Sequence, residues 1–228
     1  MSYTVDVTSH DKQKEVLDTI LSKFRKIDIL VLNAGRSQRS LAVNTPIEDT
    51  KSLFDLNVIG VIDLTRHILP HMLKNGDGHI VAISSVTGKF GVPISSSYSA
   101  SKFAMQGYFD SLRGEVDYQG VRVTVICPGP VESEIGENAV RDENLPQMKE
   151  GNKMPTARCS ELIARAIYYN FGEVWIAQQP FLLFTYVLTY MPWIARQAIS
   201  KLIGPGRVKA LETGGEVFDI QTNLGMKK

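Results

Sequence analysis

Apolar and polar residues alternate along this chain in blocks, some with the period of a helix and some as short continuous runs. Residues 3–7 read as a short strand. Behind them Ser9 is an N-cap type for a helix whose apolar positions Val16, Leu17, Ile20, Leu21 and Phe24 recur at helical spacing. Residues 27–32 form an apolar run broken only by Asp28, the pattern of a strand covered on both faces. Thr45-Pro46-Ile47-Glu48 has the form of a capping box with Pro at the first helical position. It opens a long helix carrying Leu53, Leu56, Val58, Ile62 and Leu69, with an end near Pro70 or a continuation to Leu73. A turn at residues 75–78 leads into a strand over 79–84, and Ser, Gly and Pro mark a loop over 85–97.

A second helix is predicted over about 98–118, then a strand over 122–127 that Pro128-Gly129-Pro130 ends. The charged, aperiodic residues 134–155 read as a long mobile loop rather than a linker. A helix over 160–170, a strand over 173–177 and an apolar region over 182–203 complete the pattern. Repeated strand and helix alternation implies a parallel sheet with helices on both faces. At 228 residues the chain suits a single domain, 1–228, with a sizeable core.

Composition narrows the partners. With 25 Lys and Arg against 24 Asp and Glu, the chain lacks the positive surplus of a phosphate-tracking protein, so no nucleic-acid partner is expected. Cys127 and Cys159 form no C-x-x-C pair and no disulfide framework, which fits a reducing compartment or an incidental pair of thiols. His10, His67, His71 and His79 show no ligand-like grouping, so no metal site is expected. Residues 1–11 hold no apolar run of signal-peptide length. Residues 174–195 carry no charge, but Pro180 and Pro192 leave only 181–191 unbroken, short of the roughly 20 residues a spanning helix needs. That region reads either as a strand and helix at a dimer face or substrate mouth, or as a peripheral membrane contact through Phe181, Leu182, Phe184 and Trp193.

One constellation suggests chemistry. Tyr98 and Lys102 lie four residues apart on one predicted helix face, so a phenol and an ammonium stand one turn apart. A fixed cation favours the phenolate, lowering a pKa of about 10 and making the hydroxyl a usable general acid or base. The spacing alone is common. It gains meaning from Ser85, which ends an apolar strand thirteen positions earlier, at the edge where open parallel sheets bind ligands.

With Asp6-Val7-Thr8, Asn33-Ala34-Gly35, Asn57 and Gly60, Ser85, Tyr98 and Lys102, and Pro128-Gly129 in this order, the sequence resembles the short-chain dehydrogenase/reductase family. The resemblance implies an α/β, Rossmann-like doubly wound parallel sheet and an NAD(P)-dependent oxidoreductase acting on an alcohol or carbonyl. By it Tyr98 moves the proton, Lys102 lowers its pKa and holds the nicotinamide ribose, and Ser85 hydrogen-bonds the substrate oxygen. Asn57 would position a relay water, although as a residue it reads equally as a polar tie between the long helix and a loop. NADP or NAD would run past Asn33 and Gly35, with Asp6 near the adenine. Pro128, Gly129, Val131 and Ser133 would border the nicotinamide, Ser133 standing where the family usually has Thr.

Further stretches, among them Ser37-Gln38-Arg39-Ser40-Leu41 and Glu173-Val174-Trp175-Ile176, resemble a branch near the hydroxysteroid dehydrogenases. They imply a small apolar substrate such as a steroid or retinoid and a place at the endoplasmic reticulum membrane, or otherwise the cytoplasm. A homodimer through residues 46–70 and 98–118 is implied in the same way. Family members begin with a glycine-rich βαβ portion, whereas Gly35 is the only glycine before Asn57. The expectation is therefore a sheet lacking its N-terminal glycine-rich βαβ portion and any anchor belonging to it, with residues 27–32 left as an exposed apolar edge. Two readings follow: a shortened active oxidoreductase, or a catalytically silent chain that pairs with a full-length dehydrogenase subunit.

Overall fold

The computed structural model describes residues 2–149 and 151–216. Numbered in chain order, β1 (Ile29–Leu32), β3 (Gly78–Ile83), β4 (Val121–Pro128) and β6 (Glu173–Ile176) form one sheet in the order β1-β3-β4-β6, every neighbouring pair parallel. The two-residue side-chain period distributes the apolar runs between two cores. Ile80 and Ala82 of β3 and Val121, Val123, Val125 and Cys127 of β4 face the first; Val81 and Ile126 face the second. The first is filled by Leu17 of α1 (His10–Phe24), by Val61, Ile68 and Met72 of α3 (Gly60–Asn75), and by Met105, Phe109, Leu112 and Val116 of α4 (Ser96–Val116). Cys159 and Ala166 of α5 (Thr156–Tyr168) fill the second together with Met154 and Ile176. The sheet is doubly wound, as the alternation predicts.

β1 departs from its predicted cover. Leu30 and Leu32 pack on the first core, but Ile29 and Val31 are 48% and 47% exposed, because no described helix lies over that face of the strand. Among the described residues β1 pairs only with β3, so the apolar edge is there. Residues 3–7 form no strand: no ladder partner lies beside them. Instead the buried Gln13 amide donates to the carbonyls of Val7 and Gly60, fastening the start of α1 to α3. A Cβ at Gly60 would lie 2.1 Å from the Val7 carbonyl oxygen, so this close approach requires glycine.

The long helix runs as α2 (Ile47–Phe54), a π-helical turn (Asp55–Ile59) and α3 without a break. Thr45 does not cap it. Its hydroxyl donates to the Leu41 carbonyl at 2.8 Å and accepts from Gln38 Nε2 at 2.7 Å, leaving Pro46 at the N-cap. Pro70 sits inside α3, where the fully buried Ile68 and Met72 hold the helix despite the missing N–H. The helix stops only at Gly76, whose left-handed φ of 63° lets its N–H reach the Leu73 carbonyl.

Residues 134–155 are tied down more than their charge suggests. β5 (Val140–Arg141) pairs with β2 (Gln38–Arg39), and Ala139, Val140, Met148 and Met154 are buried; Glu150 lies outside the described residues. A two-residue strand and isolated apolar anchors leave no period to detect. Past β6 the chain forms α6 (Phe181–Tyr190), α7 (Pro192–Ala198) and α8 (Gly204–Thr213). No described helix is long and apolar enough to cross a membrane.

Candidate active site

The carboxyl ends of β3 and β4 and the first turns of α4 converge on a cavity of about 190 Å³. Ser85 follows β3 and caps a short 3₁₀ turn, accepting the Thr87 N–H at 3.2 Å and donating to the Pro128 carbonyl at 3.4 Å. Tyr98 is placed by a residue from another strand: the buried Gln38 carbonyl oxygen Oε1 accepts the Ser97 and Tyr98 N–H groups at 2.8 and 3.3 Å. These are free donors of a helix start, so Gln38 caps α4 from outside the helix. Burial pushes the Tyr98 phenol above its ordinary pKa, while the Ser85 side chain, the Arg39 cation and the Thr87 side chain pull it down.

Lys102, one turn on, has its Nζ 2.9 Å from the Ile83 carbonyl and 5.8 Å from the Tyr98 ring centre. Burial pulls its pKa down to about 8. Asn57, fully buried in the π-helical turn, donates to the Arg36 carbonyl (2.9 Å) and Ser101 Oγ (3.0 Å) and accepts the Arg36 N–H (2.8 Å). It thereby locks the loop after β1 to α4, as the polar-tie reading expects. Gly35 borders both: a Cβ there would lie 3.3 Å from Asn57 Oδ1 and 3.6 Å from Lys102 Nζ.

Of the residues singled out in the sequence, Ser85, Tyr98, Gly129 and Val131 line the cavity, Pro128 bonds Ser85, and Asn57, Lys102 and Gly35 cluster together. Asn33, Ser133 and Asp6 are exposed and do not line it; Asp6 closes a turn before α1, accepting the Thr8 N–H and hydroxyl at 2.9 and 2.8 Å. Sequence reasoning missed Gln38, Arg39 and Thr87. Thr87 Oγ1 is buried without a hydrogen-bond partner among the described residues, and it lines the cavity. The histidines are also grouped after all. α1 and α3 bring His10 Nδ1 to 2.7 Å from Asp63 Oδ2, and His67 Nε2, one turn on from Asp63, lies 3.6 Å from the same oxygen; the His10 contact crosses 53 residues, which no local spacing could reveal.

The short chain dehydrogenase family model matches residues 1–144. The chain belongs to the short-chain dehydrogenase family. Among members of this family, the human dehydrogenase/reductase SDR family member 7 is 39% identical over 215 residues, covering 92% of this chain and 63% of the relative. The mouse protein of the same name is 41% identical over 197 residues, covering 84% of this chain and 58% of the relative. This short-chain dehydrogenase chain thus spans about three fifths of the length of the curated relatives it matches. A solved short-chain dehydrogenase from Streptomyces avermitilis superposes with a TM-score of 0.73 at 23% identity, covering 86% of this chain and 76% of that one. ElxO with NADP bound gives 0.66 at 25% identity, covering 79% and 77%.

Lys102 gives this family member a measurable pH signature. Unfolded, the amine titrates near its ordinary 10.5; folded, near 8. Below pH 8 both states hold the proton and the buried cation exerts its full cost. Between 8 and 10.5 the unfolded state binds the extra proton, so folding stability rises with pH. Wild type is therefore expected to gain on Lys102→Met across that window in urea unfolding, and parallel pH curves would refute the assignment.

Proposed function

We propose that this chain provides the substrate side of an NAD(P)-dependent oxidoreductase acting on an alcohol or carbonyl of an apolar substrate through Ser85, Tyr98 and Lys102. One observation carries the reading: a buried phenol, with Ser85 beside it and Lys102 one turn away, opens on a cavity walled by Phe90, Phe181, Leu188 and Ile203. The bare Gly35 backbone between Asn57 and Lys102 Nζ fits the nicotinamide and ribose end of such a cofactor. The NADP named in the ElxO structure supports the same choice. When bound, the cofactor supplies the hydride.

The chain's own residues then handle binding and the proton. Ser85 Oγ donates a hydrogen bond to the substrate oxygen. Tyr98 gives that oxygen a proton in reduction and takes it back in oxidation, with Asn57 positioning the relay water. Lys102 Nζ, now on the Ile83 carbonyl, would hold the ribose hydroxyls, and Asn33, Gly35 and Asp6 would hold the rest of the cofactor. Pro128, Gly129, Val131 and, from outside the cavity, Ser133 would border the nicotinamide. The test is isotopic: with C4-deuterated NADPH or NADH, an apolar aldehyde, steroid ketone or retinal is expected to gain deuterium at its carbonyl carbon by mass spectrometry. No incorporation with any of them leaves the chain catalytically silent and overturns the proposal.

By the same family reading the chain forms a homodimer and lies at the endoplasmic reticulum membrane, touching it with α6 and α7. Leu183, Phe184, Tyr190 and Trp193 are 57%, 42%, 72% and 74% exposed, a row of apolar and aromatic side chains suited to a lipid interface. Phe181 packs inward beside Gly129, and both Phe181 and the half-exposed Phe184 line the cavity. The chain is expected to float with phosphatidylcholine vesicles, and Phe184→Ser with Trp193→Ser to return most of it to the soluble fraction. Sedimentation of both proteins without lipid would remove the membrane contact.

A further inference from the structure

Arg39 is a charged residue of the cavity wall that the oxidoreductase reading gives no contact with the substrate. It ends β2 and lines the cavity together with Tyr98. Its Nη1 donates to Ser37 Oγ (2.8 Å), the Gln38 carbonyl (2.8 Å) and Ser95 Oγ (3.5 Å), all neutral acceptors. Nε and Nη2 have no partner among the described residues, and no carboxylate pairs with the guanidinium. Those two nitrogens share one edge of the planar fork, the edge that clamps a carboxylate by two parallel hydrogen bonds. The cavity wall adds Lys153, on which Glu137 and Glu132 act, and Arg207, and holds no Asp or Glu among its described lining residues; Asp142 lines the smaller pocket that Arg39 also borders. Burial already lowers the Arg39 pKa, the mark of a cation short of compensation.

We propose that the substrate of this site is an apolar alcohol or carbonyl that also bears a carboxylate, held two-point by Arg39 Nε and Nη2. The assignment rests on the oxidoreductase reading for the reacting end of the molecule and on Arg39 for the other. Arg39 stands near Tyr98, and Phe181, Leu188, Ile199 and Ile203 supply the apolar wall for the rest of the molecule. A neutral steroid or retinoid would offer the buried guanidinium no anionic partner, which is costly for an unpaired charge.

Calorimetric titration of the 228-residue chain with decanoate and with decan-1-ol tests this without cofactor or turnover. Decanoate is expected to bind more tightly than the alcohol by about 10- to 100-fold, the range of a hydrogen bond to a charged group. Arg39→Gln removes that advantage and leaves decan-1-ol affinity unchanged, which also shows that the variant is folded. Arg39→Lys restores only part of it, since an ammonium lacks the fork. Equal binding of the two ligands, no binding of decanoate, or an Arg39→Gln loss shared by both ligands overturns the proposal. Decanoate held through Arg39 by a chain that transfers no deuterium overturns the oxidoreductase reading alone.

Discussion

Phenylalanine at position 98 is expected to lower carbonyl reduction by about 10²- to 10⁴-fold, the contribution of a positioned general acid, while cofactor affinity changes little. The asymmetry follows from the geometry. Tyr98 owes its position to the Ser97 and Tyr98 main-chain N–H groups that donate to Gln38 Oε1 and to its place on α4, neither of which involves the phenol oxygen. Tyr98→Phe therefore keeps the ring in place and deletes the hydroxyl alone. Single-turnover loss of nicotinamide absorbance separates the two effects, since binding is read from the amplitude at saturation and chemistry from the rate. Retained turnover would remove Tyr98 from its role, and an equal loss of cofactor affinity would make it a structural residue. The test requires a preparation with measurable deuteride transfer, so it follows the isotopic experiment.

The second large effect is on the fold. Phe109 is fully buried, lies at the centre of the first core, and meets Tyr108 edge-on with ring centres 5.1 Å apart. Phe109→Ala is expected to cost about 3–5 kcal/mol, the lost transfer energy plus the cavity left among packed neighbours. Marginally stable domains hold only about 5–15 kcal/mol, so such a loss consumes much of the reserve. Urea unfolding followed by the fluorescence of Trp175 and Trp193 checks it. A midpoint unchanged from wild type would mean that α4 does not anchor this core.

Much of the fold was readable because its signals are local. The β3 and β4 runs, the helical spacing of α1 and α4, and the left-handed glycine after α3 each sit within a few residues. Tyr98, Lys102 and Ser85 were legible for the same reason: one helical turn and one strand end define them. What failed depended on distant partners. Residues 3–7 have strand composition but no neighbouring strand, and Thr45 has capping chemistry that Leu41 and Gln38 engage first. Arg39 and Gln38 sit on a two-residue strand without a period, and their meaning arises only where β2 meets the start of α4. The His10, Asp63 and His67 group is equally a product of two helices meeting.

The π-helical turn at Asp55–Ile59 can be understood as a phase adjuster. One extra residue in a helix rotates everything beyond it by about 100°. Leu53 before the turn and Val61, Ile68 and Met72 after it are all buried, and Asn57 within it is aimed at Arg36 and Ser101. A single-residue deletion anywhere in 55–59 would regularise the helix, yet swing either the apolar stripe of α3 or the Asn57 amide out of register. The length of this segment therefore matters even where residue identity does not: substitutions at exposed Ile59 cost little, while the loss of that one residue displaces a whole helix face.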